Sequence, residues 1–253
     1  MVFTLLLNGL MFALFIWAAV EFFSQSRRKP FITYGYFFAT IIVLADLVIV
    51  FLTPESFATI SEFLLISEVF TFFKIVIYMA IGTTLTLQMG HPTLPLIRWV
   101  RGHNLHFQPV KYSVRILFYV MIMLVFTFLL FQYSHPHYIE QNSYSRTTGF
   151  AVLFSFFIIA ISEEIVFRQG LQTLLASKFK FKGGYALAVL ITSVVWTLGH
   201  LFIIEPAWIK VVQILPFGIL LGFLFRKQGL ECTMLVHGIF NVLIVALDPF
   251  LLK

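Results

Sequence analysis

Long unbroken apolar runs, separated by short polar ones, make up almost the whole of this chain. They cover Val2 to Phe23, Phe31 to Leu52, Glu68 to Leu87, Val114 to Tyr133, Thr148 to Ala176, Gly183 to Ile204, Ala207 to Phe225 and Cys232 to Leu247. A helix needs about 20 such residues to cross the hydrocarbon core of a bilayer. A transmembrane barrel would instead alternate in polarity over segments of about 10 residues. The pattern therefore predicts an all-α integral membrane protein, a polytopic bundle of about eight transmembrane helices. The first run lacks a basic leader and a small-residue cleavage site, so it reads as an uncleaved helix. Arg27-Arg28-Lys29-Pro30, Pro54, Glu205-Pro206, Arg226-Lys227-Gln228-Gly229 and Asp248-Pro249 punctuate the runs, and Pro216 predicts a kink inside the seventh.

Composition sharpens this picture. Hydrophobic residues are 60% of the 253 and charged residues 11%, about half the charge of a soluble domain. The net charge of +6 could suggest nucleic acid, but the basic residues lie in the loops and read as topology signals, so no nucleic-acid partner is expected. Lys and Arg at 27–29, 98–115, 168–182 and 226–227 fall at the exits of odd-numbered spans, against Arg146, Lys210 and Lys253 on the other side. The positive-inside rule then places both termini outside. Residues near 88–113 mix Arg98, Arg101 and Lys111 with Trp99 and Phe107, the composition of a segment lying at the membrane surface. The lone Cys232 excludes an internal disulfide and a cysteine metal cluster. The chain divides into residues 1–147, about four transmembrane helices plus that interfacial segment, and residues 148–253, which hold the candidate chemistry.

Three polar clusters interrupt the apolar runs. Ser162-Glu163-Glu164-Ile165-Val166-Phe167-Arg168 carries two carboxylates and a guanidinium. Ionisable groups at membrane depth cost at least about 2.5–3.5 kcal/mol each on insertion scales. On a helix, Glu164 and Arg168 share a face and can neutralise each other, while Glu163 points about 100° away and is left free. The second cluster is Trp196-x-x-x-His200 and the third His237-x-x-x-Asn241. A single transmembrane His is more often a helix–helix hydrogen-bonding residue than a catalyst. Three clusters in this order, each on its own run, are harder to assign to packing.

In these residues the chain resembles the CPBP family of intramembrane proteases, which includes the type II CAAX prenyl endopeptidases and bacterial bacteriocin-processing and immunity proteins. The family signature, Glu-Glu-x-x-x-Arg, Phe-x-x-x-His and His-x-x-x-Asn/Asp, reads here Glu163-Glu164-Ile165-Val166-Phe167-Arg168, Trp196-Thr197-Leu198-Gly199-His200 and His237-Gly238-Ile239-Phe240-Asn241. The resemblance covers roughly residues 148–247, and Trp196 in place of Phe is the one departure. It implies hydrolysis of a peptide bond near a membrane-anchored end of a peptide or protein, in a multi-pass protein of the bacterial inner membrane. Glu163 would take a proton from a water that His200 helps to hold. His237 and Asn241 would donate to the developing oxyanion, and Arg168 would hold Glu164 as a buttress. No cofactor is favoured; the alternative is zinc held by Glu163, His200 and His237 with an open fourth position, although the His-Glu-x-x-His spacing of common zinc proteases is absent.

Two other classes of function fit parts of the same pattern. Buried Glu, His, Asp and Arg also describe a proton-coupled transporter, against which no inverted repeat is visible. An inactive CPBP-like scaffold or immunity protein would keep the fold without the chemistry. Asp46 and Lys74 are further charges inside apolar runs, expected to pair or to line the cavity. His91, His103, His106, His135 and His137 lie in loops, where solvated His is the default. Straight helices would put His200 and His237 at different depths, so tilting or a break near Glu205-Pro206 is needed for them to meet.

Overall fold

The computed structural model describes residues 9, 12–20, 32–52, 62–92, 94, 108–138, 149–201 and 204–251. Residues 12–20 are helical. They are followed by α1 (Ile32–Leu52), α2 (Glu62–Gln88), α3 (Pro109–Ser134), β1 (His137–Tyr138), α4 (Gly149–Glu164), a π-helical segment (Ile165–Gln172), α5 (Thr173–Lys178), α6 (Gly184–Leu198), β2 (Ile204–Glu205), α7 (Ala207–Gln228) and α8 (Leu230–Leu251). The two short strands pair antiparallel, His137 opposite Glu205 and Tyr138 opposite Ile204.

Among the described residues, four helices are long and apolar enough to cross a membrane: Val69–Gln88, Pro109–Ser134, Ala207–Gln228 and Leu230–Leu247. α3 shows why a bilayer is the natural solvent. Its buried positions, Ile116, Val120, Met123, Thr127 and Phe131, recur three or four apart and make one stripe. The rest of its surface is also apolar, with Val114, Leu117, Phe118, Met121, Ile122 and Val125 exposed. Helices in lipid satisfy their own backbone polar groups, so this surface carries no unmet hydrogen-bonding demand.

Several boundaries differ from the sequence reading. Pro109 starts α3 five residues before Val114, because a first-turn proline lacks only an N–H that would be unpaired anyway. The end of the 88–113 segment is therefore helix, and its residues 95–107 lie outside the described residues. Much of the Val2–Phe23 run, with Glu140 and Arg146, also lies outside them. α7 runs on through Pro216.

Two hydrophobic cores bracket the polar centre. One joins α1, α2 and the π segment through Ile42, Ile75, Tyr78, Met79, Ile165 and Val166. The other joins α3, α6, α7 and α8 through Val120, Met123, Trp196, Phe217, Val236 and Phe240. The seam between α2 and the π segment is unusually close. A Cβ on Gly82 would collide with the Gln169 carbonyl, and one on Gly170 with the Tyr78 ring. Gln169 Nε2 then donates across the seam to Thr83 Oγ1 at 3.0 Å. Small residues let helix backbones approach, and a side-chain amide adds a hydrogen bond where water is scarce.

Candidate active site

The helix that carries the two glutamates widens immediately after them. α4 ends at Glu164 and the next eight residues are π-helical, a rare local geometry that recurs at functional sites. Thr173 Oγ1 donates to Arg168 O at 2.9 Å across the wide turn. The widening leaves Glu164 and Arg168 facing each other as expected, with Arg168 Nε 3.4 Å from Glu164 Oε2 and both side chains buried. The guanidinium also lies over the Trp196 ring, its Cζ 5.0 Å from the centroid. Glu163 points elsewhere and keeps 22% of its side chain exposed.

Glu163 is the point on which the other clusters close. His200 Nε2 lies 3.6 Å from its Oε1 and His237 Nε2 3.9 Å from its Oε2. The Trp196 indole Nε1–H donates to Oε2 at 2.7 Å. His200 Nδ1 is 2.9 Å from the Trp196 carbonyl oxygen. A carbonyl only accepts, so that nitrogen carries the hydrogen. His237 Nδ1 is 3.0 Å from Glu164 Oε1, where an N–H likewise meets an acceptor. Both imidazoles thus have their Nδ1 hydrogens engaged and turn Nε2 toward Glu163. The rings of His200 and His237 meet the edges and face of Trp196 at 5.1 and 5.2 Å.

Convergence is achieved by ending a helix rather than tilting one. The sequence reading carried the sixth helix to Ile204, but α6 stops at Leu198. Gly199 follows as its cap, and His200 sits in the ensuing turn. The break precedes Glu205-Pro206 and frees His200 from a helical path that would have separated it from His237.

Asn241 does not join the group around Glu163. Its Nδ2 donates to Phe156 O at 3.4 Å, tying α8 to α4 one turn beyond His237. The Asp46 side chain lies outside the described residues, so its expected pairing with Lys74 does too. Lys74 lines a cavity of about 160 Å³ that also touches Thr71, Ile42, Ile158, Ser162 and Glu163, bringing residues before 148 to the edge of the site.

Lys210, counted from the sequence only as a topology charge, is half-buried near the start of α7. It donates to Gln213 Oε1 at 3.0 Å, and its charge interacts with that of Glu163. Its only signal in the sequence is a cation shortly after Glu205-Pro206, inside an apolar run. Among the described residues no three His, Cys, Asp or Glu side chains are spaced to hold a metal ion. One Glu163 oxygen, Oε2, is engaged by the Trp196 indole, while Oε1 faces His200 Nε2.

Two imidazoles and an indole N–H are thus gathered around one partly exposed carboxylate within a bundle of apolar helices. Residues 145–243 match the family described as type II CAAX prenyl endopeptidase Rce1-like, the same stretch in which the sequence resembles the CPBP family. Over 95 residues the chain is 27% identical to the sporulation-killing factor biosynthesis protein SkfC of Bacillus subtilis (strain 168), a stretch that is 37% of this chain and 18% of that protein. No solved structure matches.

Proposed function

We propose that this chain is an intramembrane endopeptidase that uses Glu163 as a general base, without a metal, on a peptide bond near a membrane-anchored chain end. The observation that carries the reading is the 3.6 Å gap between Glu163 Oε1 and His200 Nε2. Both atoms are acceptors when His200 holds its hydrogen on Nδ1, so a water giving one hydrogen to each fits between them. That water's lone pair is left free to attack. Its oxygen bonds the scissile carbonyl carbon as a proton passes to Glu163. The carbonyl oxygen becomes an oxyanion, which His237 stabilises as the imidazolium, with hydrogens on both ring nitrogens. Glu163 returns the proton to the leaving nitrogen as the C–N bond breaks, giving a carboxylic acid and an amine. Arg168 and Glu164 hold His237 through its Nδ1–H. General-base assistance of this kind contributes about 10²–10⁴-fold.

The substrate must be extended at the cut, because a peptide bond inside a regular helix is shielded by its own hydrogen bonds and side chains. A chain end, or a segment loosened by Gly or Pro, meets that need. The likeness to a protein of sporulation-killing factor biosynthesis supports peptide processing in a bacterial inner membrane; the apolar runs and the basic loops support about eight spans with both termini outside. Single cysteines placed at Arg27 and Arg146 should label from opposite faces of oriented vesicles; labelling from one face would remove that topology.

The activity test reconstitutes the protein in liposomes with a panel of membrane-anchored peptides and with soluble casein, and identifies new chain ends by mass spectrometry. Glu163-dependent ends close to an anchor are the expected result. Glu163-dependent digestion of casein alone would overturn the substrate class. A complete absence of Glu163-dependent products would favour the scaffold or transporter readings.

A further inference from the structure

Trp196 stands where the family signature has Phe, and its indole nitrogen is the feature a Phe could not supply. The side chain is 1% exposed, and Nε1–H lies 2.7 Å from Glu163 Oε2. The same residue's carbonyl oxygen receives His200 Nδ1–H at 2.9 Å. One residue therefore holds the carboxylate by its side chain and the imidazole by its backbone. The Arg168 guanidinium lies over the ring, its Cζ 5.0 Å from the centroid, and the Phe217 ring is 6.1 Å away. With these neighbours the indole has little freedom to rotate.

Resting on the general-base reading of Glu163, we propose that Trp196 is a positioning residue that fixes which carboxylate oxygen does the chemistry. Holding Oε2 turns Oε1 toward His200 Nε2, and the backbone contact turns that nitrogen back toward Oε1. A carboxylate is a two-fold rotor whose terminal torsion is broad. Without the indole, either oxygen could face the water, and the aligned arrangement would be one of several. A hydrogen bond to a charged acceptor is short and about twice as strong as a neutral one, which suits a restraint of this kind.

The hydrogen bond can be read without any activity. Protein labelled with ¹⁵N at tryptophan, in detergent micelles, should give four indole resonances, one for each Trp in the chain. Trp196→Phe assigns the one of interest. That resonance should move upfield in Glu163→Gln, where the acceptor is neutral, and further in Glu163→Ala, while the other three stay in place. An unchanged Trp196 indole signal in both variants would overturn the contact.

The positioning role has its own readout. Trp196→Phe should lower kcat by about tenfold, the scale of one lost hydrogen bond to a charged group, and leave KM unchanged. Replacing Trp196 by its benzothienyl analogue, which has sulfur in place of the N–H, keeps the ring's shape and should lower kcat equally. Full kcat in the analogue would overturn the positioning role even if the indole resonance behaves as expected. Loss of all activity in wild type would indict the general-base reading instead and leave the spectroscopic result standing.

Discussion

Replacing Glu164 by Gln separates the two adjacent glutamates by what each leaves behind. Glu164 and Arg168 are 1% and 0% exposed at the side chain, with Nε 3.4 Å from Oε2. None of the three guanidinium nitrogens makes a hydrogen bond among the described residues. Apart from the Trp196 ring, the Glu164 carboxylate is thus the group that balances this cation. Removing one partner of a buried pair costs about 3–5 kcal/mol, because the other charge stays buried and uncompensated. Gln would keep an acceptor for His237 Nδ1–H, so the second contact weakens rather than vanishes. Glu163→Gln strands no buried cation of this kind, and about 1 kcal/mol or less is expected for it. The assay is equilibrium unfolding in mixed micelles followed by far-ultraviolet circular dichroism, on both single variants, on Arg168→Met and on the Glu164→Gln/Arg168→Met double variant. Removing both partners should recover most of the loss, giving a coupling of about 2 kcal/mol or more in the double-mutant cycle. Equal stability of the two Gln variants, or strict additivity in the cycle, would refute the claim that Glu164 balances Arg168.

The other predictions rest on separate observations. Glu163→Gln should reduce kcat/KM on a cleaved peptide by at least about 10²-fold with an unchanged melting profile; retained turnover would remove Glu163 as the base. Phenanthroline and EDTA should leave the activity intact, and a loss reversed by added zinc would restore the metal reading. Gly82→Ala should destabilise by about 1–3 kcal/mol, the usual cost of overpacking, since its methyl would meet the Gln169 carbonyl; an unaltered unfolding midpoint would show that the seam can open freely. His91, just past α2, has its pKa held below the ordinary 6.5 by burial first and by the Arg226 charge second. The unfolded chain then binds the proton more readily, so stability should fall as pH drops from about 6.5 through the lower folded value. His91→Gln should flatten that limb of the stability–pH curve, and an identical limb in the variant would mean His91 is not its source.

The helical class was legible because an apolar run of about 20 residues needs no partner to declare itself. Glu164 and Arg168 could be paired on paper for a similar reason: an i,i+4 contact is a local property of a helix, and it survives the change to π geometry at Ile165. The point where α6 stops was not legible. Gly199 is a helix-ending residue only in hindsight, since an apolar run continues past it to Ile204 and hydropathy is blind to where a backbone stops being helical. The Trp196 contact was hidden differently. A change from Phe to Trp reads as conservative by aromatic character, and only the placement of Glu163 shows that the added N–H meets a carboxylate. The contact of Asn241 with Phe156 O was hidden too, since spacing from His237 gives a helix face but not the neighbour that the face meets.

The part of the chain with no motif turns out to carry some of the site's walls. Ile42, Thr71 and Lys74, on α1 and α2, line the cavity that reaches Ser162 and Glu163. They are held there by the seam in which Gly82 and Gly170 let α2 rest directly on the π segment. Because that segment follows Glu164 without a break, its position and the direction of both glutamates are set together. The 145–243 match covers Glu163, His200 and His237, while the close approach between α2 and the π segment depends on a glycine and a threonine about 80 residues before Glu163. Small residues leave no trace in a charge or hydropathy pattern, so this half of the site could be seen only once the helices were packed.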